Sequence, residues 1–160
     1  RIIYLARNPL DMLPSTVSWI NYARRQFTDP KEKWLYLDEI VDMTQHWYSH
    51  PLKYLDAHPS PRNLILNYDD LIQRPEAVLR AFYEQFGYPD KPGLEIIVDE
   101  AVKETMSFNS DHVYSYEEMG FTRQQIVELY PEIFERFGFE KREPLPTNAE
   151  KHSAQIAATD

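Results

Sequence analysis

After Arg1 the chain runs without a polar interruption through Ile2-Ile3-Tyr4-Leu5-Ala6, the pattern of a central strand covered on both faces. Arg7-Asn8-Pro9-Leu10-Asp11 follows. Asn is a favoured helix N-cap and Pro suits the first helical position, so a helix is predicted to open here. Leu13, Val17, Ile20 and Phe27 recur near helical spacing with Trp19 on their flank, while Pro14 is expected to break or tighten the opening turns. A second, longer helix is predicted from about Glu32 to Asp56. Leu35, Ile40, Met43, Trp47, Tyr48 and Leu55 form its apolar side, and Pro51 predicts a kink or break within it. After the Pro59-Ser60-Pro61 turn, Asn63-Leu64-Ile65-Leu66-Asn67-Tyr68 reads as a second buried strand.

Pro75 starts an amphipathic helix through Val78, Leu79, Phe82 and Phe86, closed by Gly87. Another helix is predicted from Gly93 to Thr105, then a polar, aromatic loop region from Met106 to Gly120. Thr122 followed by Gln125 matches a capping box and opens a last helix with Ile126, Leu129 and Ile133, which Gly138 stops. The tail from Lys141 reads as extended or disordered. Two short apolar strands separated by long helical runs indicate parallel α/β organisation. Two strands do not make a doubly wound sheet, and a buried strand at the first residues is unusual. The expectation is therefore the C-terminal part of something longer.

Composition narrows the function classes. The chain has 160 residues, 42% hydrophobic and 27% charged, which suits one ordinary globular domain. Seventeen Lys and Arg against 26 Asp and Glu leave a net charge of −9, which argues against bulk capture of nucleic acid. One well-placed arginine still suffices for a small anion. With no cysteine, disulfides, thiolate metal sites and cysteine nucleophiles are excluded within these residues. No apolar run approaches a membrane span and no signal peptide is evident. A cytoplasmic location is the expectation, although lack of cysteine does not fix the compartment.

The sharpest chemical feature is the first strand-to-helix junction. Ligands of open α/β sheets bind beyond the carboxyl ends of strands, where helix N-termini offer N–H groups to anions. Arg7 stands at such an end and can give a phosphate or sulfate paired N–H bonds, with Ser15 able to add a hydroxyl. The alternative is that Arg7 pairs with Asp11 or Asp70 while Ser15 only packs. Tyr68, at the second strand end, can stack on a base or be an ordinary core aromatic with Asp69 or Asp70 capping the next element. His46 and His50 have metal-binding spacing on a helix, but no third ligand is evident and the HExxH pattern is absent. His112, between Asp111 and Val113 in a polar loop, can be an acid, a base or an anion contact, or simply a solvated histidine. There is no GxxxxGK[ST] loop, GxGxxG turn or GxSxG elbow.

The order of these motifs resembles the sulfotransferases that use 3′-phosphoadenosine 5′-phosphosulfate. A strand ending in arginine with a serine eight residues on, Arg7 to Ser15, is similar to their 3′-phosphate-binding segment. Asn67-Tyr68-Asp69-Asp70-Leu71, Pro75 and Phe82-Tyr83-Glu84-Gln85-Phe86-Gly87 look like the family's Tyr-Glu-Asp-Leu … Pro … Phe-Leu-Gly stretch. His112 to Thr122, Phe134 to Gly138 and the Trp47-Tyr48 helix resemble a broad, largely bacterial branch. The resemblance covers roughly residues 1–140.

It implies a P-loop NTPase-like α/β fold with an incomplete parallel sheet and a mostly helical C-terminal portion. Residues 1–140 would be the C-terminal part of a single sulfotransferase domain, and 141–160 the tail. The implied reaction moves a sulfuryl group from 3′-phosphoadenosine 5′-phosphosulfate to a hydroxyl or amine, with no metal. Arg7 and Ser15 would hold the 3′-phosphate, and Tyr68 would lie near the adenine. The implied partners are this nucleotide co-substrate and an acceptor molecule of unidentified class, with no nucleic acid. The family's 5′-phosphosulfate loop with its lysine, and its general base, have no counterpart here and are expected upstream of Arg1. The usual basic glycine-rich C-terminal segment is also missing, with Asn109, Ser110 and His112 in a loop at that place. On these grounds the chain alone is expected to be inactive. A non-catalytic nucleotide-binding or interaction module and a P-loop kinase relative are the alternatives.

Overall fold

The computed structural model describes residues 1–29, 31–89, 93–107 and 115–139. The loop residues Asn109, Ser110 and His112 and the tail from Lys141 lie outside the described residues. Two strands, β1 (Ile2–Ala6) and β2 (Asn63–Asn67), pair in parallel with Ile2 opposite Asn63 and Ala6 opposite Asn67. Parallel pairing requires a crossover, here made by α1 (Pro9–Arg25) and α2 (Leu37–Ala57). After β2 come α3 (Tyr68–Gln73), α4 (Pro75–Phe86) and α5 (Leu94–Ser107). A single 3-10 turn at Glu117–Met119 leads to α6 (Arg123–Leu129) and α7 (Pro131–Phe137). No helix among the described residues is long and apolar enough to cross a membrane.

The core lies where α1 and α2 meet α6 and α7. Leu13, Val17, Ile40, Tyr48, Ile126, Ile133, Phe134 and Phe139 are buried in one cluster, with Tyr4 and Ile65 packed against it from the strands. Each such large side chain withdrawn from water contributes about 1.5–3 kcal/mol. Phe134 and Phe139 meet edge to face at 6.2 Å, an arrangement the ring quadrupoles favour.

The helix starts follow local chemistry. Asn8 Oδ1 accepts from the Leu10 N–H at 3.0 Å and Pro9 takes the first helical position. Thr122 and Gln125 form the reciprocal capping box, 2.8 Å from the Thr122 N–H and 3.2 Å from the Gln125 N–H. Gly138 ends α7 at φ 65°, a left-handed conformation costly to any side chain.

Several expectations are corrected. Neither Pro14 nor Pro51 breaks its helix. Pro51 removes the N–H that would meet the Trp47 carbonyl, and the Tyr4 hydroxyl of β1 donates to that carbonyl instead, at 3.3 Å. The second helix starts at Leu37 rather than near Glu32. Ahead of it, the Leu35 N–H donates to Asn21 Oδ1 (3.1 Å) and Trp34 Nε1 donates to the Glu118 carbonyl (2.9 Å), holding the segment out of helix. Tyr36 sits there at φ 58°. The last helix is two, because Pro131 opens α7 instead of continuing α6. Phe27 lies past the end of α1 and is exposed. β1 is not covered on both faces among the described residues: Ile2, Ile3 and Leu5 are 41%, 49% and 42% exposed.

Candidate functional site

The parallel register brings two of the three expected site residues together. Ala6 is opposite Asn67 in the last rung of the ladder, so Arg7 and Tyr68 leave neighbouring strand ends side by side. The Arg7 guanidinium carbon lies 5.3 Å from the centre of the Tyr68 ring, within cation–π range. Each strand turns into a helix at this edge through an asparagine cap, Asn8 for α1 and Asn67 for α3. Asn67 Oδ1 accepts from the Asp69 N–H at 2.9 Å. That corrects the expectation that Asp69 or Asp70 is the cap. Tyr68 is the first residue of α3 rather than the last of β2.

The Arg7 side chain is incompletely satisfied. Its Nε is buried without a hydrogen-bond partner, and no ion pair among the described residues includes it. Asp70, one of its candidate partners, is bonded by Arg74 at 2.9 Å. Asp11 is close enough to feel Arg7. Burial raises its carboxyl above the usual range, the Arg7 charge opposes that shift, and the nearby Asp69 reinforces it. A buried donor without a partner costs about 1–3 kcal/mol, and an anion accepting from this edge would remove that penalty. Ser15 is half-buried in the second turn of α1. Seven residues past Asn8 is nearly two helical turns, so it stands on the same side of the helix as the cap.

A cleft of about 170 Å³ opens beside Arg7, lined by Tyr4, Leu5, Arg7, Met12, Trp47 and Tyr48. It is mostly apolar, with Arg7 at its edge, and is below the roughly 300–1,000 Å³ of complete small-molecule pockets. Of its lining residues, Tyr4 carries no site signal in the sequence, whereas Trp47 and Tyr48 read as aromatics able to line an acceptor pocket if exposed, with helix packing the simpler account. Tyr48 is buried and its hydroxyl donates to the Arg7 carbonyl. Away from the cleft, the exposed His46 and His50 rings stack at 4.9 Å. Among the described residues no group of three or more His, Asp or Glu that could hold a metal ion is found.

The comparisons agree with this architecture. The solved structure of the sulfotransferase STF9 from Mycobacterium avium superposes with a TM-score of 0.62 at 18% identity, a likeness of fold. The match covers 85% of this chain and 36% of that one, so the chain spans little more than a third of the matched protein. It supports a sulfotransferase, P-loop-like fold with a small parallel sheet and mostly helical content. No curated protein matches significantly. The family model described as the sulfotransferase domain matches residues 1–141, and the chain belongs to that family.

Proposed function

We propose that this chain forms the 3′-phosphate-recognising part of an enzyme that transfers a sulfuryl group from 3′-phosphoadenosine 5′-phosphosulfate to a hydroxyl or amine. The observation that carries this reading is the partnerless buried Nε of Arg7, beside Tyr68 at paired strand ends. Membership of the sulfotransferase domain family supports it. Arg7 donates paired N–H bonds to the 3′-phosphate, a geometry a planar guanidinium suits. Ser15 adds a hydroxyl donor from the second turn of α1, and Tyr68 offers an aromatic wall toward the adenine. A 3′-phosphate distinguishes this nucleotide from ATP, so these residues select the donor and fix its orientation.

The bound nucleotide supplies the sulfuryl group and leaves as the bisphosphate. In-line displacement on sulfur also needs donors for the leaving oxygen and a base for the acceptor. No residue of this chain is assigned to either task, so the 160 residues alone are expected not to catalyse transfer.

The test is calorimetric binding of 3′-phosphoadenosine 5′-phosphate and of AMP to the full-length protein and its Arg7→Ala variant. Wild type should prefer the 3′-phosphorylated nucleotide. Loss of one to two charge-assisted hydrogen bonds, about 1.5–3 kcal/mol each, should reduce that preference at least tenfold in Arg7→Ala. Equal affinity of wild type for both nucleotides, or tighter binding of ATP with Mg²⁺, would overturn the assignment.

A further inference from the structure

The backbone carbonyl of Arg7 falls between two hydrogen-bond systems. The strand ladder ends one residue earlier, at Ala6 opposite Asn67. The helical system starts one residue later, where the Asn8 carbonyl accepts from the Asp11 and Met12 N–H groups at 3.0 and 2.9 Å. Left to the local chain, the Arg7 carbonyl would be unpaired beside the core. The Tyr48 hydroxyl, from the middle of α2, donates to it.

Tyr48 is well suited to act as a fixed post. Its ring is 5% exposed and meets Tyr130 edge to face at 5.7 Å. Two packed side-chain torsions leave the hydroxyl little freedom. Burial drives its acidity far below that of an ordinary phenol, so it stays a donor at any physiological pH. The bond fixes the peptide plane that follows the Arg7 Cα. With the β1 ladder fixing the preceding one, the direction in which the guanidinium leaves the backbone is set from both sides. That direction carries it over Tyr68. The same tyrosine lines the cleft beside Arg7.

We propose that Tyr48 is a positioning residue for anion recognition, its hydroxyl holding the Arg7 backbone so that the guanidinium is aimed at the incoming phosphate. The proposal rests on the reading of Arg7 as the 3′-phosphate ligand. It makes selectivity for that phosphate depend on a helix 41 residues away in sequence.

The test compares Tyr48→Phe, Tyr130→Phe and Arg7→Ala in the full-length protein, each titrated with 3′-phosphoadenosine 5′-phosphate and with AMP. Tyr48→Phe keeps the ring and should weaken the bisphosphate about tenfold, the cost of one misdirected charge-assisted bond, while leaving AMP affinity unchanged. Tyr130→Phe removes a hydroxyl from the same core without touching Arg7. It should lower the melting temperature and leave the ratio of affinities intact. A Tyr48→Phe ratio equal to wild type, with Arg7→Ala abolishing selectivity, overturns the positioning role alone. An Arg7→Ala protein that keeps full selectivity overturns the phosphate reading and this proposal together. Equal weakening of both nucleotides by Tyr48→Phe, or failure to recover it folded, assigns the hydroxyl to general stability and also overturns the proposal.

Discussion

Thr44→Val isolates one buried hydroxyl pair between α2 and the end of α6. Thr44 is fully buried and Tyr130 is 2% exposed. Thr44 Oγ1 lies 2.8 Å from the Ile40 carbonyl, 3.0 Å from the Val41 carbonyl and 2.6 Å from the Tyr130 hydroxyl. With its single proton directed to a carbonyl of its own helix, Thr44 accepts from Tyr130. Valine preserves the shape and removes that acceptor, leaving a buried phenol unpaired at a cost of about 1–3 kcal/mol. Tyr130→Phe removes the donor while Thr44 keeps its helical bond, which costs about 0.5–1.5 kcal/mol. The double variant leaves no orphan, so the single effects should overshoot the double by about 1–2 kcal/mol. Urea unfolding of the four proteins at 25 °C measures the cycle. A Thr44→Val change within about 0.3 kcal/mol of wild type, or strict additivity, would refute the reasoning.

Two further outcomes are expected. Asn21 is buried, donates to the Val17 carbonyl at 2.9 Å and accepts from the Leu35 N–H at 3.1 Å. Asn21→Ala should cost about 1–3 kcal/mol in urea unfolding and speed proteolysis between Leu35 and Leu37, and an unchanged digestion pattern would contradict that account. Arg136 bonds both oxygens of Asp56, at 2.6 and 2.8 Å, and holds its carboxyl below the usual range. That contribution is full above the ordinary carboxylate pKa and is lost as pH falls through the lowered value. Asp56→Asn should therefore melt earlier at pH 7, with the difference from wild type shrinking as the pH is lowered through the carboxylate range. Identical melting temperatures at pH 7 would show that the pair contributes nothing measurable.

Legibility in the sequence followed the range of the interactions. The Asn8-Pro9 start, the Thr122–Gln125 box and the glycine stops at 87 and 138 use partners a few residues apart, and all could be read directly. The pairing of two apolar runs also placed Arg7 and Tyr68 at strand ends. Positions decided by distant partners were not legible. The delayed start of α2 depends on Asn21 and Glu118, and the tie between Tyr48 and Arg7 spans 41 residues. The apolar run of β1 reported strand propensity correctly but not coverage, since period and composition do not say what lies on each face.

The substitution of a tyrosine for a missing amide at Pro51 has a mechanical consequence. Within an unbroken helix, successive carbonyls are alike, so a neighbour gains little from one axial placement over the next. Proline makes the Trp47 carbonyl the odd one, the acceptor its own helix cannot use. The Tyr4 hydroxyl, its pKa pushed up to about 12 by burial, meets that acceptor as a permanent donor. Sliding α2 by one residue would offer Tyr4 a carbonyl already engaged and leave the Trp47 carbonyl empty. Pro51 thus gives α2 one axial preference against β1 that an unbroken helix would lack, in the placement where Trp47 and Tyr48 line the cleft.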